Sequence, residues 1–292
     1  MKKAAIILGV LCLCGTFGFG GEKTFSFLIS GGMTRLAPHD LNTFLQDYAR
    51  YYLYYIDGTA DQNLNSKELR TSYELEFTLL VRVAPRIFLT LGSGIIRADL
   101  ESDPLIQSYS FSDLELKLSR VDKIRSIPIR IGVQYCWPLF RRLTLSPHIS
   151  LDGYISSFKE TGYEERKDLQ SNSIFARDDW EIKTRTFSWG STVGLLLDMA
   201  LSARISLCLD GGYRRARLAG FHGTDVRFES GGPMREKDFR LLYYEFYDSW
   251  RETGYKFLNL PFALGSNSLD VVREAVLDLS GPYLKAGLRL SF

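Results

Sequence analysis

The sequence has little cysteine and histidine, and it has no long hydrophobic run beyond its first 20 residues. The best later apolar segment, Phe187–Leu197, ends at Asp198 and falls well short of the ~20 residues that a membrane-spanning helix needs. Together with a mean hydropathy of −0.08, this excludes a helical membrane protein. No basic stripe emerges among the 36 basic and 34 acidic residues, so nucleic acid is not an expected partner.

The first 20 residues have the organisation of a secretory signal peptide. Lys2 and Lys3 form a basic start, residues 4–14 form a short apolar core, and small residues before Gly21 offer a cleavage site. We expect a signal peptide at 1–20. Its removal would leave equal numbers of basic and acidic residues.

Eight later segments alternate apolar and polar residues with the period of two that is typical of β-strands. The clearest is the second, in which every second residue from Tyr73 to Val83 is apolar and Glu74, Glu76 and Arg82 lie opposite. The segments are predicted near Lys23–Thr34, Thr71–Ala84, Ile87–Ala98, Ile127–Trp137, Leu143–Asp152, Thr184–Met199, Ala203–Arg217 and Ser280–Phe292.

The connections between these segments alternate between short and long. Those after the second, fourth and sixth segments have a few residues, whereas the other four have tens, and the last covers about Leu218–Leu279. Short periplasmic turns and long outer loops are typical of outer-membrane barrels. The sequence therefore predicts an all-β fold, a transmembrane antiparallel up-and-down β-barrel of eight strands at 21–292.

Two segments leave alternatives open. Ser110–Ser119 also alternates, which would allow a ten-stranded barrel, although we interpret it as the outer extension of the fourth strand, bent before Ile127. Asp270–Leu279 is either a short helix or the outer extension of the eighth strand.

Aromatic residues favour apolar faces that look outward toward lipid. A soluble barrel would turn its apolar face inward, and core aromatics of such a barrel are the alternative interpretation. Two aromatic girdles separated by a band of Leu, Ile and Val suit two membrane interfaces. The girdles are predicted at the periplasmic end from Phe25, Tyr135, Trp137 and Phe292, and at the loop end from Tyr73, Phe187, Trp189 and Tyr213.

If the apolar faces meet lipid, the charged residues share the interior. An eight-stranded barrel has just enough interior for its own side chains. We therefore expect an ion-pair network that plugs the barrel, with a narrow gated pore as the alternative. The predicted network comprises Glu74, Glu76, Arg82, Arg130, Asp152, Arg204, Asp210, Lys285 and Arg289.

Two cysteines lie outside the signal peptide, Cys136 and Cys208. They fall on the fourth and seventh strands, which places their Cα atoms roughly 10–15 Å apart. A disulfide needs less than ~7 Å. Two free thiols facing inward are predicted, their spacing matches no metal motif, and no cofactor is expected.

Three residues on one face of the fifth strand, His148, Ser150 and Asp152, invite interpretation as a catalytic triad. Same-face neighbours on a strand sit ~6.5–7 Å apart, whereas catalysis needs direct hydrogen bonds. We expect a hydrogen-bonded interior cluster and no enzymatic activity.

The C-terminal segment Gly281–Phe292 ends in phenylalanine, preceded by leucine or alanine at alternate positions. This resembles the terminal strand of Gram-negative outer-membrane proteins, and the chain looks like the small eight-stranded class that includes the OmpA membrane domain, OmpX and OmpW. The resemblance implies an outer-membrane location, with outer-membrane lipids as partners. It also implies that Leu288, Leu290 and Phe292 form the signal read by the barrel-assembly machinery.

A second resemblance concerns His148-Ile149-Ser150, which is similar to the His-x-Ser motif of the outer-membrane lipid A deacylase. It implies a lipid-modifying enzyme as an alternative function. The deacylase motif continues with asparagine where Leu151 stands, and its site faces lipid, whereas His148 and Ser150 point inward by parity.

Two predicted loops are rich in aromatic residues, which form either a surface for an extracellular ligand or a packed cap. The hypothesis is a structural or surface-binding outer-membrane protein that acts through these loops. A narrow channel for small or apolar solutes, as in OmpW-like proteins, is the alternative. The aromatic residues are Phe44, Tyr48, Tyr51, Tyr52 and Tyr55 in the first loop, and Phe239, Tyr243, Tyr244, Phe246, Tyr247 and Trp250 in the last.

Overall fold

The computed structural model describes residues 25–36, 40–44, 46–47, 69–101, 105–109, 114–168, 170–228, 232, 234–248, 253–258 and 269–292. The predicted signal peptide lies outside these ranges. Residues 40–44 are helical, and all the longer elements are strands. In chain order they are β1 (Phe25–Arg35), β2 (Thr71–Ala84), β3 (Ile87–Glu101), β4 (Leu105–Tyr109), β5 (Leu114–Tyr135), β6 (Trp137–Phe140), β7 (Leu143–Asp168), β8 (Ser173–Ala200), β9 (Ile205–Leu218), β10 (His222–Phe228), β11 (Arg235–Arg240), β12 (Leu242–Asp248), β13 (Thr253–Leu258), β14 (Leu269–Glu274), β15 (Leu277–Asp278) and β16 (Gly281–Ser291).

Eight of these strands pair into a closed ring in the order β1-β2-β3-β5-β7-β8-β9-β16, and β16 returns to pair with β1. Every neighbouring pair is antiparallel. The predicted all-β class with eight antiparallel ring strands is confirmed. Closure pairs both edges of each ring strand, so the ring presents no open edge to another chain. The cylinder that it encloses is called the barrel below.

Three ring strands are much longer than the sequence pattern predicts. β5 begins at Leu114, β7 ends at Asp168, and β8 begins at Ser173. The fifth predicted segment, Leu143–Asp152, is the first part of β7. The prediction of a long loop after it is wrong, because β7 and β8 continue outward as a paired hairpin. Pairing satisfies the backbone hydrogen bonds that a long loop would leave to solvent.

The two open alternatives are resolved by strand pairing. Residues 114–119 are the outer part of β5 and pair with β7, so the extension is confirmed and the ten-stranded barrel is wrong; residues 110–113 lie outside the described ranges. The helix alternative for Asp270–Leu279 is wrong as well. That segment contains β15 and all of β14 except Leu269, and β15 pairs with β9.

Further strands replace the predicted last loop. The inner part of β8, Gly190–Ala200, pairs with β9, whereas its outer part, Asp179–Arg185, pairs with β10. β11 adds to β10, and β12, β13 and β14 form a separate three-stranded sheet. Of these strands, β10 and β11 extend the sheet from the outer part of β8.

The position of apolar side chains, on the outer wall or in the interior, changes along the barrel axis. Near the short turns, which define the turn end, the outer wall is apolar and exposed. This apolar belt consists of Ile29, Met33, Leu75, Phe77, Leu91, Ile95, Ile127, Ile129, Ile131, Val133, Ile149, Leu151, Ile155, Val193, Leu195, Leu207, Leu209, Leu284, Leu288 and Leu290. Toward the other end, the loop end, apolar side chains fill the interior instead.

This interior apolar cluster at the loop end is called the cap. It joins the upper ring strands to the helical residues and to the strands that follow β9. Its buried members are Leu36, Leu41, Phe44, Leu69, Ile96, Ala98, Leu100, Ile124, Tyr154, Phe158, Ile182, Ala216, Leu218, Phe221, Phe239, Leu241, Tyr243, Ala275, Leu277 and Leu279. Within the described ranges, no helix has the length and apolarity that crossing a membrane requires.

Candidate functional site

The barrel interior inside the apolar belt holds a charge network centred on Arg130. Alternation along β2 brings Glu74 and Glu76 to the same inward face, and β5 places Arg130 opposite them. Arg130 Nη2 donates to Glu74 Oε1 at 2.9 Å, and Nη1 donates to Glu76. Its Nε lies 3.5 Å from Asp152 Oδ1. One guanidinium thus contacts three buried carboxylates.

Strands β9 and β16 complete the network from the other side. Lys285 Nζ lies 2.6 Å from Glu76 Oε2 and 3.2 Å from Asp210 Oδ2. Asp210 also pairs with His148 Nε2 at 2.9 Å. Arg214 is fully buried, with a relative exposure of 0%, and its Nη1 donates to Glu74 Oε2 at 3.0 Å. Charges from five strands are therefore linked in one layer across the interior.

A second layer of paired side chains lies in the interior nearer the turn end. Arg289 Nη1 lies 2.9 Å from Asp198 Oδ2, and Cys208 Sγ donates to Asp198 Oδ1 at 2.8 Å. The neighbouring buried apolar side chains are Leu28, Leu80 and Leu196, with Phe88 packed against them. Between the two layers lies a cavity of about 40 Å³, which has room for little more than water.

Both cysteines have free thiols, as predicted. Cys208 is buried, and Cys136 is half-buried at the turn end of the interior. Ser146 Oγ and Gln134 Nε2 donate to Cys136 Sγ at 3.5 Å and 3.6 Å.

The structure places the nine predicted network residues in different positions. Six lie in the central layer, Arg289 lies in the second layer, and Arg82 is half-buried on the inward row of β2. The placement of Arg204 in the network is wrong, because Arg204 is exposed. β8 ends at Ala200 and β9 begins at Ile205, so Arg204 lies in a turn where strand parity does not apply.

Two network residues were not among those predicted, Arg214 and Asp198. A signal for Arg214 was present, because Tyr213 faces outward and its neighbour on the strand must then face inward. In the sequence Asp198 marks the end of an apolar run, and the same parity argument places it inward.

His148 and Ser150, two residues of the possible catalytic triad, hydrogen-bond to different carboxylates. Ser150 Oγ donates to Asp152 Oδ1 at 2.7 Å, and Tyr154 Oη donates to Asp152 Oδ2 at 2.9 Å. Thr192 also donates to Asp152. His148 pairs instead with Asp210. The three residues therefore do not form a single hydrogen-bonded Ser-His-Asp triad.

A third cluster of polar side chains lies in the cap, beyond the loop-end edge of the apolar belt. Arg120 Nε donates to Asp122 Oδ2 at 2.8 Å, and its Nη2 lies 3.0 Å from Glu160 Oε2. Trp180 Nε1 donates to Glu160 Oε1 at 2.9 Å, and the Phe44 ring stacks 4.3 Å from the Arg120 guanidinium carbon. Burial raises the pKa of Glu160 to about 7 against the opposing charge of Arg120, and burial raises the pKa of Asp122 too.

The loop aromatics fall partly within this cap. Phe44, Phe239 and Tyr243 are buried there, so they cannot belong to an exposed recognition surface. For these three residues the packed alternative is correct. Tyr48, Tyr51, Tyr52, Tyr55 and Trp250 lie outside the described ranges, as do the side chains of Tyr244, Phe246 and Tyr247.

The predicted girdle residues lie on the outer wall at both edges of the apolar belt. At the turn end, Phe25 stacks on Phe292 with ring centroids 5.3 Å apart. At the loop end, Phe187 and Trp189 meet edge to face at 5.1 Å. The exposed girdle side chains are Tyr73, Tyr135, Trp137, Phe187, Trp189, Tyr213 and Phe292, whereas Phe25 is half-buried.

The three residues of the predicted assembly signal, Leu288, Leu290 and Phe292, are exposed on the outer face near the end of the chain. Leu288 and Leu290 belong to β16, which pairs with both β1 and β9. Recognition of these residues by the assembly machinery stays a prediction.

Comparisons with known proteins leave the family open. No family model matches the chain, and no curated protein matches it. Among solved structures, the chain is similar to a major outer membrane protein from Thermus thermophilus, with 12% sequence identity and a TM-score of 0.37. The match covers 93% of this chain and 100% of that one. A TM-score this low does not establish a shared fold. The resemblance to the class of the OmpA membrane domain, OmpX and OmpW therefore stays a prediction.

Proposed function

We propose that the protein is an outer-membrane β-barrel with a closed interior and a structural or surface-binding role. The observation that carries this proposal is the arrangement of side chains at the level of the belt, where apolar residues face outward and charged residues face inward. Ile131 is 57% exposed on the outer face of β5, whereas its neighbour Arg130 is only 6% exposed inside. A soluble barrel would place these two residues the other way round.

The backbone supports the same location. Lipid offers no hydrogen-bond partners, so a spanning structure must pair all its N–H and C=O groups internally. The closed eight-strand ring does this for the strands that carry the apolar belt.

The height of the belt also suits a bilayer. On β2 the outward positions from Tyr73 to Val83 are separated by ten residue steps, or about 33 Å along the strand. At a strand tilt of ~40° this corresponds to about 25 Å along the barrel axis, which is the apolar height of outer-membrane barrels. The spanning segments would then end near Ile127, Ile155 and Phe187.

The filled interior favours a structural role over transport. The central charge layer, the second layer and the cap occupy the barrel in succession, with a cavity of about 40 Å³ between the two layers. We expect no single-channel steps from the purified protein in planar bilayers. Reproducible steps would contradict the closed interior while leaving the membrane location intact.

The membrane location is tested by charge placed on the wall. In lipid vesicles, Ile131→Lys is expected to reduce the free energy of unfolding by about 2–4 kcal/mol, because the new charge lies at the middle of the bilayer. The matched control is Phe140→Lys, since Phe140 is 74% exposed but lies in β6 at the turn end. That change is expected to cost less than about 1 kcal/mol. Equal effects, or a chain that stays folded and monomeric without detergent, would contradict the proposal.

A further inference from the structure

A concave basic surface lies on the outer wall at the loop-end edge of the apolar belt. Outward positions of four neighbouring strands form it in two rows, and they surround a cavity of about 530 Å³. In the first row Arg125 is opposite Ser157, Ser157 is opposite Arg185, and Arg185 is opposite His222. In the second row Lys123, Lys159 and Lys183 are opposite one another on β5, β7 and β8.

This concentration of positive charge is only partly compensated. Glu181 pairs with both Lys159 and Lys183, the latter at 2.5 Å. Within the described ranges, Lys123, Arg125 and Arg185 form no ion pair. Like charges directly opposite on adjacent strands are destabilising, so the surface has charge available for an anionic ligand.

The geometry suits a phosphate group. Arg125 and Arg185 lie two strands apart, a separation of about 10 Å that leaves space between them for a tetrahedral anion. Guanidinium groups bind phosphate oxygens through paired, charge-assisted hydrogen bonds. The small Ser157 between them leaves the floor of the cavity open and adds a hydroxyl donor.

The position of the cavity indicates which phosphate it receives. Arg125 is two residues from Ile127 on β5, and Arg185 is two residues from Phe187 on β8, so the backbone of each arginine lies ~7 Å from an outward apolar or aromatic residue at the edge of the belt. A ligand that fills the cavity can therefore extend acyl chains along Ile127, Ile155 and Phe187. We propose that this surface binds the phosphate groups of a phosphorylated lipid in the outer leaflet, an inference that rests on the proposed membrane location.

The test compares two double variants with the same change in charge. Arg125→Gln with Arg185→Gln removes the two unpaired arginines of the cavity, and Arg35→Gln with Arg215→Gln removes two outward arginines elsewhere on the barrel. The folded full barrel in zwitterionic detergent is titrated with lipid A, with dephosphorylated lipid A, and with inorganic phosphate. The first variant is expected to bind lipid A at least about tenfold more weakly than the wild type, and the second to stay within about twofold.

Each other outcome overturns the inference. Equal weakening in both variants would indicate a diffuse charge effect, and tight binding of dephosphorylated lipid A would exclude phosphate recognition. Inorganic phosphate binding as tightly as lipid A would show a free-anion site instead of a lipid site. A barrel that folds in detergent but binds no lipid A removes only this inference, whereas a chain that is folded without detergent removes the proposed function.

Discussion

Arg130 is the residue whose loss should most disturb the interior. The described residues of the central layer comprise four carboxylates, Glu74, Glu76, Asp152 and Asp210, and three cations, Arg130, Arg214 and Lys285, besides His148. In Arg130→Met the same four carboxylates face two cations. Removing one partner of a buried ion pair costs about 3–5 kcal/mol, and we expect a loss of that size in the free energy of unfolding.

A second substitution should recover much of this loss. In Arg130→Met combined with Glu76→Met, three carboxylates face two cations, which restores the excess of one carboxylate found in the wild type. Lys285 keeps Asp210, and Glu74 keeps Arg214. Asp152 retains its hydroxyl donors. We expect the double variant to be about 2 kcal/mol more stable than Arg130→Met.

The assay is reversible urea unfolding in zwitterionic vesicles, followed by tryptophan fluorescence. Arg125→Met is the matched control, because Arg125 lies on the same strand but faces outward and is exposed. Its effect is expected to stay within about 0.5 kcal/mol. A cost of less than about 1 kcal/mol for Arg130→Met, or a double variant as unstable as the sum of its single changes, would contradict the role of Arg130 in the central layer.

Two further predictions concern the cap and the barrel wall. Because the folded-state pKa of Glu160, about 7, lies above its ordinary value of 4.5, the folded state holds the extra proton in this window. Stability should therefore fall as pH rises from about 4.5 to 7. Trp180 fluorescence should titrate with a midpoint near 7, and Glu160→Gln should abolish this titration and reduce the fall in stability, leaving the contribution of Asp122, whose pKa is also raised. Separately, a Cβ at Gly194 would collide with Tyr283 Oη and lie 2.7 Å from His148 Nε2. Gly194→Ala should thus cost about 1–3 kcal/mol in urea unfolding. Gly211→Ala is its control, since a Cβ added there would lie 3.6 Å from the nearest atom, and equal losses would contradict the steric argument.

Alternation along the chain was sufficient to predict the ring and much of its interior. β2 was predicted with its observed bounds, because its outward apolar and inward charged faces persist over the whole strand. Parity placed Glu74, Glu76 and Arg130 in the interior, and the fold brings the two carboxylates to an arginine more than 50 residues away in the chain. The failure at Arg204 shows the limit of parity, which has no meaning once a strand has ended.

The outer strands were missed for a different physical reason, visible along β7. Inward positions carry Ser150 and Asp152 beside exposed Ile149 and Leu151, whereas farther along the strand the inward residue is Phe158. The period of two continues unchanged, but the apolar face moves from the outside to the inside. A search for one continuous apolar face must end where this exchange occurs.

The apolar face also moves from the outside to the inside of the barrel on neighbouring strands, at the same level along the barrel axis. On β5, Ile127 faces outward while Ile124 faces inward, and outward Arg125 lies between them. On β8, outward Phe187 is followed toward the loop end by outward Arg185 and inward Ile182. The proposed membrane location accounts for a simultaneous exchange on separate strands, since lipid and water select opposite faces for apolar residues. The basic cavity lies at this boundary, where a lipid phosphate would be found.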